Sequence, residues 1–199
     1  MLIDFDIFIA ALFLAVLLVL LVVLKFFGKK EVPFLVFFAL FYVYLMGVIK
    51  LTLFPITILT DMPSNIKESV CVIPFRDGLN RTDVENIIMF LPFGVGMPFL
   101  LRKKKLVTTA VCALLFSILI EGGQFVEAGL SHWFSTRIID SGDVICNTLG
   151  ACVGYLLLEL IAAIYVKGLR ISEIEKPLAF WKYVDNVMRE MVAHIDKNG

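Results

Sequence analysis

The chain has 199 residues, of which 60% are hydrophobic, with 18 basic side chains balanced by 18 acidic ones and a mean hydropathy of +0.92. Soluble domains carry about 45–50% apolar residues, so this composition excludes an ordinary soluble domain. The charge balance offers no electrostatic basis for a nucleic-acid or other polyanionic partner.

The first apolar block, residues 7–27, follows Asp4 and Asp6 and stops at Gly28-Lys29-Lys30. No basic n-region and no small-residue cleavage site precede Lys25, so the block is expected to remain as an anchor. A second span is predicted over 32–54, with Lys50 near its end, where a long side chain reaches the interface. A polar loop, 56–81, follows. The third span, 83–101, is predicted to start at a capping box, Thr82-Asp83-Val84-Glu85, with Thr82 as N-cap, and to end at Arg102-Lys103-Lys104-Lys105. A fourth span covers 106–126 and a fifth 143–166, ending at Lys167 and Arg170. In the tail, Trp181, Val184, Met188, Met191, Val192 and Ile195 recur at helical spacing. This stripe predicts an amphipathic helix that lies on the membrane or covers the bundle.

The fold class is therefore all-α: a polytopic transmembrane helical bundle of about five spans. It comprises a membrane domain over 1–170 and an amphipathic tail over 171–199. Basic clusters prefer the cytoplasm, and with five spans all three clusters fall on one side. That predicts an outside N-terminus, a cytoplasmic C-terminus, and extracytoplasmic loops at 56–81 and 127–142.

Helix rise then sorts the polar residues by depth. Asn86 is placed about 24 Å above Arg102, and Glu121 about 22 Å above Leu106 with Gln124 one turn higher. Asp143 opens the fifth span and Asn147 lies about 6 Å deeper. Arg137 and Asp140 stand just before that span. Glu121 and Gln124 share a helix face, as do Asp140, Asp143 and Asn147. Ionisable groups at this depth cost a few kcal/mol each unless paired or facing a wet cavity. The faces are thus expected to meet around a pocket open to the outside. The third span also carries Pro92, Gly94, Gly96 and Pro98, which predicts a kinked or locally unwound segment beside that pocket.

Each residue also has a plain structural role. Glu85 reads as the N3 partner of a capping box, and Asp140 and Asp143 suit a helix start. Asn86 and Asn147 can be interhelical hydrogen-bond glue. His132, beside Trp133 and Phe134, reads as part of an interfacial aromatic anchor. Four cysteines without zinc-ligand spacing, and only two histidines, argue against zinc. Glu121, Asp140 and Asp143 are the candidates for acid/base catalysis, or for holding a hard cation such as Mg or Ca. A phosphate-bearing ligand would need Arg137 or a bridging cation.

Several strings are familiar: Val72-Ile73-Pro74-Phe75; Glu85-Asn86 running on to Leu91-Pro92-Phe93-Gly94; Glu121 and Gln124; and Arg137, Asp140, Asp143, Asn147, Gly150, Gly154 and Tyr155 at their given spacing. Over about residues 40–166 they resemble the VanZ family of membrane proteins. Where that family often carries Asn, this chain has Cys71. The resemblance implies a bacterial cytoplasmic membrane and a link to resistance against the glycopeptide teicoplanin. On the motif positions it implies Asn86, Glu121, Gln124, Arg137, Asp140, Asp143 and Asn147 as ligand-binding residues. Two functions follow as expectations. One is binding of a glycopeptide or a lipid-linked cell-wall precursor, with membrane lipids as the other partner. The other is a membrane enzyme in which the acids act as acid/base groups and Arg137 clamps an anion.

Overall fold

The computed structural model of the protein describes residues 2–58, 70–71, 73–76, 78–102, 104–131, 139–169 and 178–193. Five helices are long and apolar enough to cross a membrane. They are α1 (Ile7–Phe26), α2 (Val32–Leu53), α3 (Arg81–Leu100), α4 (Leu106–Leu130) and α5 (Ser141–Leu169), followed by a shorter α6 (Ala179–Val192). Four two-residue strands complete the described elements: β1 (Leu2–Ile3), β2 (Ile56–Thr57), β3 (Val70–Cys71) and β4 (Ile139–Asp140).

Local chemistry sets the helix starts. Asp6 caps α1 by accepting from the backbone N–H groups of Phe8 and Ile9 at 3.1 and 3.0 Å. Pro33 stands in the first turn of α2, where a missing N–H costs nothing. The capping box of α3 is not the one expected. Asn80 is the N-cap, its side chain accepting from Asp83 N at 3.2 Å, and Asp83 returns the bond to Asn80 N at 2.7 Å. Glu85 is instead exposed and pairs with Arg81 one turn back. A shorter N3 side chain closes the same reciprocal bond, and starting the helix two residues earlier turns Asp83 inward.

The seam between α3 and α5 is the backbone of the bundle. The two helices run parallel, Ile87 opposite Gly150 and Leu91 opposite Gly154. A Cβ added at Gly94, Gly150 or Gly154 would lie 1.9, 2.3 or 2.1 Å from a carbonyl oxygen of the facing helix. Only glycine permits this approach, and close backbone packing is how membrane helices associate where no hydrophobic effect drives them together. The third span therefore does not unwind: α3 is helical throughout, with Pro92 and Pro98 inside it. Its glycines serve contact instead, Gly94 against α5 and Gly96 under the Phe41 ring.

Helix α2 packs antiparallel to α3. Phe37 stacks on Phe99 at 4.2 Å, Phe41 meets Phe93 edge-on at 5.3 Å, and the Tyr44 hydroxyl donates to Met89 O at 2.8 Å. Helix α4 closes the other side through Phe116, which contacts Phe90 and Phe93. Helix α1 is outermost and is tied to α2 by a bond from Tyr42 to Phe13 O. Most of its large apolar side chains are exposed, as a lipid-facing helix requires.

These pairings place the starts of α1, α3 and α5 and the ends of α2 and α4 at one end of the bundle. Strands β1 and β2 pair antiparallel there, and β3 and β4 pair parallel, so the segments after α2 and α4 meet. At the opposite end stand Lys25, Lys29, Lys30, Arg102, Lys105 and Lys167, all exposed. Helix α6 covers that end. Val187, Met188 and Met191 pack with Phe99, Tyr155, Leu158 and Ala162, and Lys104 pairs with Glu190 at 2.6 Å.

Candidate functional site

The end opposite the basic belt gathers acids from three helices. Glu121, on α4, is 9% exposed, and its Oε2 accepts the backbone N–H of Asp140 at 3.2 Å. Asp140 precedes α5 and caps it, its Oδ1 accepting from Gly142 N at 2.7 Å. Asp143, in the first turn of α5, interacts with Glu121, with Asp140 and with Asp83. Asn86 faces Asp143 from α3 and interacts with its carboxylate. Asn86 Nδ2 is buried and makes no hydrogen bond among the described residues.

Asp83 is a site residue concealed in the sequence by its place inside the expected capping box. It is 4% exposed, and its Oδ1 accepts a weak bond from the Cys146 thiol at 3.7 Å. The available signal was its spacing: Asp83 and Asn86 are i and i+3, one face of α3. Ser117, inside an apolar run of α4, is a second residue without a signal in the sequence. It receives the Asn147 amide at 2.8 Å, with both residues fully buried, one turn below Glu121 and Asp143 respectively. Asn147 Oδ1 has no partner among the described residues.

Gln124 departs from the expected cluster. Its Nε2 donates to Thr52 O of α2 at 3.0 Å, so it stitches α4 to α2, and its own Oε1 has no partner among the described residues. Glu127, unremarked in the sequence, accepts from Thr57 N at 2.8 Å, and Ser131 donates to Thr57 O at 2.5 Å. Together they clamp β2 onto the last turns of α4. Arg137 and His132 lie outside the described residues.

A cavity of about 40 Å³ opens beside the acids, lined by Cys71, Phe75, Arg76, Asn80, Asp83 and Asp140 among others. That is room for a few waters or one small polar group, against roughly 300–1,000 Å³ for a typical ligand pocket. Phe75, at a φ of 57°, forms part of its wall. Among the described residues no three Asp, Glu, His or Cys side chains converge with the geometry to hold a metal ion. The hard-cation reading thus finds no ready-made ligand set here.

Five apolar crossings around a glycine-packed seam define a multi-pass helical membrane protein. The sequence matches the family described as VanZ/LLP1 over residues 8–162, and the chain belongs to that family. No curated protein and no solved structure matches it.

Proposed function

We propose that this is a protein of a bacterial cytoplasmic membrane whose acidic end faces outward and binds a polar group of a glycopeptide or of a lipid-linked cell-envelope precursor. Its role would be teicoplanin-type resistance or envelope homeostasis. The observation that carries the reading is the meeting of acids from three helices: Glu121 bonds the Asp140 backbone at 3.2 Å, Asp140 and Asp83 line one cavity, and Asp143 stands in the first turn of α5. Asp83 and Asp140 serve as caps, but several carboxylates at a span end are costly unless paired or facing a wet cavity. Below them Asn147 is buried, its amide bonded to Ser117, so the acceptors that face the outer end are the carboxylates. Such a surface suits ammonium or hydroxyl donors better than a bare phosphate. The 40 Å³ cavity, lined by Arg76 as well as by Asp83 and Asp140, admits one small polar group, with the rest of the ligand outside it.

The test is isosteric. Glu121→Gln and Asp143→Asn keep shape and remove charge. In cells exposed to a glycopeptide panel, binding predicts a partial loss of protection in both variants, with protein level and melting temperature retained. Unchanged protection in both overturns the proposal. The bond of Glu121 to the backbone of Asp140, which brings carboxylates of two elements to one place, also fits the enzymatic reading, because neighbouring carboxylates can divide acid and base roles. An enzyme predicts loss of turnover by about two orders of magnitude or more in either variant.

A further inference from the structure

Helix α6 buries one face against the bundle and leaves a second apolar feature uncovered. Leu178, Phe180 and Trp181, at its start, are 60%, 37% and 52% exposed. Their depth is fixed by stacking. Phe180 lies 5.5 Å from Phe37, which stacks on Phe99. Phe37 is about 8 Å inside the start of α2 by helix rise, and Phe99 is in the last turn of α3. The Phe180 ring therefore stands level with the second turn of α2 and the last turn of α3, not beyond the ends of those helices.

The Tyr183 hydroxyl donates to Phe99 O and holds the helix at that level. Indole and phenyl rings at the ends of spans favour the boundary between headgroups and acyl chains. Among the described residues the exposed charge at this end is mostly cationic, with Glu31 the exposed acid near Tyr183. Arg102, Lys105, Lys167 and Lys182 are exposed, whereas the acids of α6 are engaged, Asp185 with Arg189 and Glu190 with Lys104. That sign complements anionic headgroups.

We infer that the start of α6 is a bilayer-contacting edge: Leu178, Phe180 and Trp181 seat in the headgroup–acyl boundary of a membrane containing anionic phospholipid, beneath a belt of lysine and arginine. The tail is then both a cover for the bundle and an interfacial anchor. This holds whether or not the acidic end binds a ligand.

The experiment uses the full chain carrying Trp133→Phe, which leaves Trp181 as the one tryptophan. It is reconstituted in bilayers of phosphatidylcholine alone or with phosphatidylglycerol. Lipids brominated near the headgroup end of the acyl chain should quench Trp181 about twofold more than lipids brominated near the methyl end. Brominated phosphatidylglycerol should quench more than brominated phosphatidylcholine at equal mole fraction. Water-like emission with no quenching by either bromine position overturns the seating. Equal quenching by the two headgroups overturns the anionic preference. Should Trp133→Phe fold poorly, the wild-type chain compared with Trp181→Phe reads the same difference.

Discussion

The carboxylate of Glu121 accepts the backbone N–H of Asp140 at 3.2 Å, so a side chain of α4 completes the cap of α5. Asp140 meanwhile bonds Gly142 N with its own oxygen. In an ordinary capping box the N-cap N–H is met by the third residue of the same helix. Here the partner comes from a neighbouring span, which ties the start of α5 to the depth of Glu121. One carboxylate thus belongs both to helix architecture and to the acidic cluster.

That double role separates two substitutions. Glu121→Gln retains an acceptor for Asp140 N–H, and its stability should stay within about 1 kcal/mol of wild type. Glu121→Ala leaves the N–H unmet and should cost about 1–3 kcal/mol. Thermal unfolding in detergent, with both variants side by side, checks the difference.

The glycine seam makes a sharper prediction. Gly94→Ala, Gly150→Ala and Gly154→Ala each drive a methyl into a carbonyl of the facing helix, and each should destabilise by about 1–3 kcal/mol or more. Gly47→Ala and Gly122→Ala meet open space and should be neutral or stabilising by up to about 1 kcal/mol. Size-exclusion profiles after a heating series rank the five variants. Equal behaviour across them would refute the parallel α3–α5 contact.

Asn147 and Ser117 should be energetically coupled. A double-mutant cycle over Asn147→Ala and Ser117→Ala is expected to return about 0.6 kcal/mol, the usual worth of an interhelical side-chain bond in a membrane. A coupling indistinguishable from zero would remove this bond from the account of α4–α5 packing.

At the start of α3, Asp83→Ala should cost about 0.5–2 kcal/mol through the lost cap. Glu85→Ala, in an exposed pair with Arg81, should change stability by less than about 0.5 kcal/mol. Reversed magnitudes would restore Thr82 and Glu85 as the capping pair.

Orientation is open to labelling. Cys71 is a free, partly exposed thiol at the acidic end. With that end outward, an impermeant maleimide should label Cys71 in intact cells. A thiol introduced by Lys105→Cys should react only after permeabilisation. The opposite pattern would invert the topology and with it the extracytoplasmic site.

The positions of the five spans, their basic ends and the shared depth of Asn86, Glu121, Asp143 and Asn147 were legible in the chain itself. Hydrophobic run length and the 1.5 Å helix rise determine those quantities locally. Tertiary structure decided the partners. Gln124 shares a sequence face with Glu121 yet turns to Thr52 of α2, because α4 is contacted on two sides. Pro92 and Gly94 read as a break, but a facing helix that needs close approach uses the glycine and keeps the helix whole. Asp83 and Glu85 stand two residues apart in one helical turn, and only the packing of α5 made one a buried member of the acidic cluster and left the other in solvent. Periodicity sets a residue's depth and direction on its own helix, but the identity of what it meets is a property of the neighbours.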